Sequence, residues 1–359
     1  MTAAAGVDTA LQRLRDAAAR LSGRQVTFME VCGTHTMSIA RLGLKALFPP
    51  NVQLVSGPGC PVCVTPQGVI DRMVALARVP GATVCTFGDM LRVPGTESSL
   101  ERERASGARI RVVYSPLEAL AHAEAHPGEQ VIFLGVGFET TAPAIAQTLR
   151  QAKAKRVANF TAAVAGKVVP PALHALLSDD DVALDGLLCP GHVSVIIGAK
   201  VYGFIPAEFG VPCAVAGFEA AEILLGLASL CEQIAAGRAT VENLYREWVR
   251  PEGNRRAQAV IDEVLLTADA EWRGIGVIPL SGYSLRPAWR DFDAFERFGI
   301  PEMHAPEPRG CRCGEVLKGV TQPRDCGIFG THCTPQHPVG PCMVSSEGSC
   351  AAEFKYGGR

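Results

Sequence analysis

The sequence predicts an α/β protein: two similar lobes, each a parallel sheet with helices on both faces, turned toward a central cleft, with a helical and loop-rich region after them. Three observations carry this. Short β-prone runs alternate with helical spacings from residue 25 onward. Each run ends in a glycine-bearing turn, and three such run-and-turn units recur in the same order in the second third of the chain. From Gly217 the alternation gives way to helical spacing, and beyond residue 310 the chain is punctuated by Gly, Pro and Cys.

Taken in order, residues 1–23 are Ala-rich with Arg13, Arg15, Asp16 and Arg20 spread through them, which reads as an amphipathic helix rather than a secretory signal. Gln25 to Val31 is a strand, Cys32 to Thr36 its exit, and Met37 to Phe48 a helix stopped by Pro49-Pro50. Val52 to Ser56, Gln67 to Ala77 and Ala82 to Thr86 repeat strand, helix, strand, with Phe87-Gly88-Asp89 as the last exit. Val131 to Val136 with Gly137-Phe138-Glu139-Thr140-Thr141 mirrors the Cys32 unit. Leu187 to His192 mirrors Leu54 to Cys60, and Cys213 to Glu219 mirrors Thr83 to Asp89. These matches set lobes at 23–115 and 116–225, with 1–22 and 226–359 forming the remaining domain. In that last part, Glu219 to Ala235, Thr240 to Val249 and Asn254 to Ala268 read as helices, and the region from Ile278 as loops and short helices.

Charge is nearly balanced, 34 Lys and Arg against 36 Asp and Glu, with no basic run dense enough to follow a phosphate backbone, so nucleic acid is not an expected partner. No apolar run approaches the roughly 18 residues of a membrane span, so a soluble, cytoplasmic protein is expected. In that compartment 13 cysteines read as metal ligands or working thiols rather than a disulfide framework.

Two cysteine sets stand out. Gly57-Pro58-Gly59-Cys60-Pro61-Val62-Cys63 is a C-x-x-C turn, able to act as a redox pair or to hold a soft metal, and Cys32 lies in another glycine-bearing turn with His35 beside it. In open parallel sheets ligands gather at the carboxyl ends of the strands. Cys32, His35, Cys60, Cys63 and Asp89, with Glu139, Thr140, Thr141, His192 and Glu219, are therefore expected to line one cleft. Against that, Thr140 and Thr141 also suit helix caps, and His192 a buried position satisfied by a carbonyl.

The second set is Cys311, Cys313, Cys326, Cys333, Cys342 and Cys350, in a Gly- and Pro-rich stretch too poor in apolar residues to build a core without a staple. The intervening lengths after the C-x-C are 12, 6, 8 and 7 residues, unlike the paired spacing of structural zinc. Four thiolates from scattered loops suit a four-iron four-sulfur (4Fe-4S) cluster and leave two sulfurs over. Zinc, with His332 or His337 as further ligands, stays open.

Both sets together resemble the HypD family of hydrogenase maturation proteins over essentially the whole chain. The motifs are Met29 to Thr36, Gly57 to Cys63, Gly137 to Pro143, Leu188 to His192, and the tail from Cys311-Arg312-Cys313-Gly314 through Gly340-Pro341-Cys342-Met343-Val344-Ser345-Ser346-Glu347-Gly348 to Cys350. The resemblance implies two Rossmann-like lobes, a third domain holding a 4Fe-4S cluster, and a scaffold role in building the Fe(CN)2CO unit of nickel-iron hydrogenases. It implies as partners the small chaperone HypC, which supplies another cysteine to the iron, and HypE, which delivers cyanide. By the same resemblance Cys32, Cys60 and Cys63 are the essential cleft cysteines and candidate ligands of Fe(II), with His35 beside them. Cys311, Cys326, Cys333 and Cys350 hold the cluster, and Cys313 with Cys342 form a redox-active pair. Met37 stands where some members carry a second histidine, so no role is placed there. Soft sulfur donors suit low-spin iron carrying cyanide and carbon monoxide. A stand-alone iron-sulfur thiol-disulfide oxidoreductase and a zinc-stapled interaction protein are the rival readings.

Overall fold

A computed structural model describes residues 3–357. In chain order its strands are β1 (Val26–Glu30), β2 (Val52–Ser56), β3 (Ala82–Thr86), β4 (Arg109–Val112), β5 (Gln130–Gly135), β6 (Phe160–Val164), β7 (Gly186–Pro190), β8 (Cys213–Ala216), β9 (Val241–Asn243), β10 (Leu265–Trp272) and β11 (Gly276–Leu285). The helices are α1 (Ala3–Ala19), α2 (Gly33–Arg41), α3 (Gln67–Leu76), α4 (Leu100–Ala105), α5 (Pro116–Ala125), α6 (Ala142–Lys155), α7 (Val169–Leu177), α8 (Gly191–Ile197), α9 (Ala220–Ala235), α10 (Arg255–Val264), α11 (Ala294–Arg297), α12 (Cys313–Leu317) and α13 (Ser349–Tyr356).

Two parallel sheets of Rossmann-like type form the body. The first has the order β2-β1-β7-β8-β9 and the second β4-β3-β5-β6. The inner strand β3 is buried along its whole length, as a strand covered on both faces must be, whereas β4 at the edge carries the charged Arg109 and Arg111.

The strands do not sort at residue 115. After β2 the chain leaves the first sheet, builds all four strands of the second, and returns with β7 beside β1. The lobes are therefore interleaved rather than consecutive segments 23–115 and 116–225. The apparent repeat misled because strand-glycine-helix units look alike locally, while the identity of the neighbouring strand is set by long-range pairing. Helix α1 also belongs to the first lobe: Ala10, Leu14, Ala17 and Ala18 form its buried stripe, it packs along α9, and Arg13 pairs with Glu232 at 2.8 Å. The expected grouping of residues 1–22 with the C-terminal region is corrected accordingly.

One apolar cluster runs through both sheets, joining Val55, Leu187 and Val215 of the first to Val84, Ile132 and Leu134 of the second. In each sheet the chain steps outward in both directions from a central pair, β1/β7 in one and β3/β5 in the other. Such switch points open crevices outside the strand ends. The segments that follow these strands carry Cys32 and, at the start of α8, His192 on one side, and Asp89 and Glu139 on the other.

Several elements differ from the sequence expectation, among them the helix expected over Met37 to Phe48, which starts at Gly33 and ends at Arg41 before a separate turn at Leu44–Leu47. Residues 241–243 form the edge strand β9 instead of a helix, the helix expected to reach Ala268 ends at Val264, and β10 pairs antiparallel with β11. The β10 segment is rich in Leu, Ala and Glu, good helix formers, and pairing with β11 overrides that preference. The hairpin tip is pinned at both ends of the site. Arg273 is buried, with its N–H donating to the Val64 carbonyl at 2.9 Å and its Nε to that of Thr65 at 3.0 Å, just beyond the C-x-x-C turn, and its guanidinium pairs with Glu307. Gly274, at φ +74°, leaves room for Gly314, whose Cα would lie 2.1 Å from an added Cβ. The cysteine-rich tail is seated there, through Lys318 on Asp179 at 2.6 Å, and by packing of α13 on α2.

Gly274→Ala is therefore expected to unseat the tail while leaving the sheets folded. Limited proteolysis should then cut after residue 310 faster than in the unsubstituted protein, with an unchanged fragment carrying both sheets.

Candidate functional site

The site is built at the carboxyl ends of β1 and β2, where two loops touch backbone to backbone. Gly33 N–H donates to the Gly59 carbonyl at 2.9 Å, and a Cβ on Gly59 would lie 2.2 Å from the Cys32 nitrogen. Only glycine at 59 allows this approach. It sets Cys32, the residue preceding α2, against the turn that holds Cys60 and Cys63. These two are joined as a disulfide with Cα atoms 5.2 Å apart, and Cys63 N–H points at Cys60 Sγ at 3.1 Å. Cys32 is a free, buried thiol.

A three-residue strap from the tail lies across both loops. Asp89, reaching over from the second sheet, accepts from Ser345 Oγ at 3.1 Å and from Ser346 N and Oγ, each at 2.8 Å. Ser345 Oγ is also 3.3 Å from Cys60 Sγ, and Thr34 donates to Glu347 at 2.8 Å. Thus residues from β1, β2, β3 and the tail meet over three cysteines.

The electrostatics of this pocket are those of a dry site. Burial pushes the Cys32 thiol up to about 12, with Glu347 and Glu30 adding to it and the His35 and Thr34 amides opposing. Burial also pushes Glu30 up to about 7, although Thr36 donates to it at 2.5 Å, the Cys32 amide at 3.0 Å, and Ser56 contributes a further bond. Glu347 is raised as well, chiefly by burial. His35 is fully buried and pushed down to about 4; its Nε2 lies 2.8 Å from the Gly217 carbonyl. A carbonyl only accepts, so Nε2 carries the proton and Nδ1 presents a lone pair, with no partner among the described residues.

Other expected cleft residues fall into distinct roles. Glu139 is buried, with Oε1 accepting from Val169 N–H at 2.9 Å and Oε2 without a partner among the described residues. Thr141 precedes α6 without a side-chain capping bond, and Glu219 closes a capping box with Glu222 at the start of α9, a structural duty. The His192 ring packs tilted against Phe218, centroids 4.0 Å apart, and Phe218 in turn lies 4.7 Å from the His35 ring.

The C-terminal cysteines converge. Cys311, Cys313, Cys326, Cys333, Cys342 and Cys350 line one small cavity, with Cys313 and Cys342 sulfurs 2.8 Å apart as free thiols. Val339 N–H points at Cys333 Sγ at 3.4 Å, an amide-to-sulfur contact of the sort that stabilises a ligating thiolate. Among the described residues no three His, Cys, Asp or Glu side chains are closed around a metal position. The donor chemistry of the cavity, six soft sulfurs in an apolar wall, is of the kind an iron-sulfur centre takes.

Sequence reasoning overlooked Glu30, Arg273 and the separate part played by Ser345. The signal for Glu30 was a charge inside an otherwise apolar strand run, and for Ser345 a Ser-Ser-Glu-Gly segment between two cysteines. Arg273 had none, because its contacts depend on a hairpin that the local residues do not announce.

A family model described as "Hydrogenase formation hypA family" (HypD) matches residues 6–357. The chain is 46% identical over 351 residues to the hydrogenase maturation factor HypD of Escherichia coli (strain K12), covering 96% of this chain and 94% of that one. It is 44% identical over 360 residues to the hydrogenase maturation factor HypD of Rhodobacter capsulatus, 99% and 96% covered. A putative hydrogenase expression/formation protein of Methanocaldococcus jannaschii is 42% identical over 332 residues, 92% of each chain.

Glu139 gives a pH test. Its carboxyl, raised from 4.5 to about 7 by burial, holds its proton more tightly in the folded state, so its stabilising effect is complete below pH 4.5 and is lost as pH rises through 7. Relative to Glu139→Gln, the unsubstituted protein should lose on the order of 3 kcal/mol of stability between pH 5 and pH 8, read from urea midpoints. Parallel pH profiles of the two proteins would contradict this.

Proposed function

The chain belongs to the HypD family of hydrogenase maturation factors, and from that premise we propose that it is the scaffold on which the Fe(CN)2CO unit of nickel-iron hydrogenases is assembled. The observation that carries this reading is the backbone contact between the Cys32 loop and the Cys60–Cys63 turn, which puts a free thiol beside a disulfide at a sheet switch point.

Fe(II) is the cargo. Cys32 is the ligand this chain offers, shared with a cysteine of a HypC-type chaperone, while a HypE-type partner delivers cyanide. Because burial keeps Cys32 protonated at neutral pH, the thiol releases its proton only when a cation takes the proton's place. Thiolate donors supply the electron density that cyanide and carbon monoxide need at iron. His35, which burial pushes down to about 4, stays neutral at physiological pH and adds no positive charge to the site. Disulfide-bonded Cys60 and Cys63 are poised for redox work rather than ligation in this state.

A 4Fe-4S centre held by Cys311, Cys326, Cys333 and Cys350 would supply single electrons at the tail. Cys313 and Cys342, thiols in contact, form a dithiol that can reduce Cys60–Cys63 by exchange: one disulfide breaks, another forms, and two electrons and two protons move to the cleft pair. The strap supports this route, since the segment that follows Cys342 reaches Cys60.

A second reading, a stand-alone iron-sulfur thiol-disulfide oxidoreductase, draws on the same dithiol and disulfide. It requires turnover of a generic disulfide with no chaperone present.

The scaffold reading is tested by infrared spectroscopy of the anaerobically purified complex with its chaperone. Cys32→Ala is expected to lose the cyanide and carbonyl bands while keeping the iron and acid-labile sulfide of the tail. Bands of full intensity in that variant would contradict Cys32 as the iron ligand.

A further inference from the structure

The hydroxyl of Ser345 lies between a cleft sulfur and a carboxylate from the other sheet. It is buried, 1% exposed, so water does not stand in for any of its partners. A hydroxyl has one proton to give and two lone pairs. Here the proton goes to Asp89 Oδ2 at 3.1 Å, one lone pair accepts Glu347 N–H at 3.2 Å, and the remaining one faces Cys60 Sγ at 3.3 Å. Among the described residues Cys63 Sγ has no such neighbour; the Cys63 N–H also points at Cys60 Sγ.

Resting on the reading that Cys60–Cys63 cycles between disulfide and dithiol, we propose that Ser345, oriented by Asp89, is a positioning residue that favours the reduced form of this pair. In the disulfide, Cys60 carries no proton and the contact with Ser345 is a weak one. After reduction, a protonated Cys60 donates its S–H to the facing lone pair of Ser345. If Cys60 is instead ionised, the hydroxyl swings its proton from Asp89 to the sulfur, and Asp89 keeps the two bonds from Ser346. Either form of the reduced sulfur gains a hydrogen bond that the disulfide lacks. Asp89 thereby ties the thiol equilibrium of the first lobe to the second sheet, through a strap that begins three residues after Cys342.

The step balances with a dithiol as reductant. Dithiothreitol gives up two electrons and two protons and closes to its cyclic disulfide; the Cys60–Cys63 bond breaks and each sulfur takes one proton.

The full-length protein, equilibrated anaerobically across ratios of reduced to oxidised dithiothreitol, is quenched with an alkylating agent, and the peptide holding Cys60 and Cys63 is weighed. Ser345→Ala should need about a three- to tenfold higher ratio at its midpoint, the worth of one net hydrogen bond. Ser345→Thr, which keeps the hydroxyl, should recover the original midpoint, and Ser346→Ala should leave it unmoved. An unmoved midpoint in Ser345→Ala, or the same shift in Ser346→Ala, overturns the proposal while leaving the cycling pair intact. A pair that stays oxidised at every ratio in the unsubstituted protein overturns both the cycling and the role of Ser345. Should Ser345→Ala not fold, Asp89→Ala takes its place, with a shift in the same direction expected and an unmoved midpoint overturning the proposal.

Discussion

The backbone of Gly59 rests on the backbone of Cys32, and the rest of the site depends on that contact. Parallel pairing of β1 and β2 brings the two loops out of the sheet side by side, and the absence of a side chain at 59 lets them close to hydrogen-bonding distance. The same economy recurs one residue along. A Cβ on Gly33 would lie 2.4 Å from the Glu347 Cβ, so the tail strap also sits directly on main chain. Two glycines thus let three segments far apart in sequence close on one another, and Cys32 and the Cys60–Cys63 turn have little freedom to separate.

This proximity is enforced from outside as well. Interleaved sheets share one apolar core, and Asp89, just past β3 of the second sheet, reaches the strap. The hairpin tip, through Arg273 and Gly274, clamps the residues after Cys63 to the start of α12. Around this frame Glu30 and Glu139 are buried and Glu347 half-buried, and desolvation raises all three from their ordinary value. Keeping such groups out of water costs stability, and sites that retain them are commonly those that bind or react. Burial that shifts these carboxyls and the Cys32 thiol toward their neutral forms agrees with the cargo role proposed for the pocket.

Much of this was legible in the sequence. The strands at 52–56 and 82–86, bounded by proline and glycine turns, have the expected limits, and the exits of β1, β2, β3 and β5 carry the expected candidate residues. The two cysteine sets could be told apart by their spacing and surroundings. The partner of each strand could not, because Val131 to Val136 reads the same whether its neighbour is β3 or β1. Nor could the hairpin, since Leu265 to Trp272 favours a helix until β11 is beside it. Arg273 and Ser345 act through contacts spanning more than two hundred residues of chain, and no local pattern marks such contacts.

The meeting of the Cys32 and Cys60–Cys63 loops, more than any single sulfur, makes the site. Gly59→Ala tests it most directly, because the added methyl forces the loops apart while leaving every cysteine in the chain. In the anaerobic complex with the chaperone, this variant is expected to form the Cys60–Cys63 disulfide still, a local link within one turn, but to lose the cyanide and carbonyl infrared bands. Bands of full intensity in Gly59→Ala would contradict it.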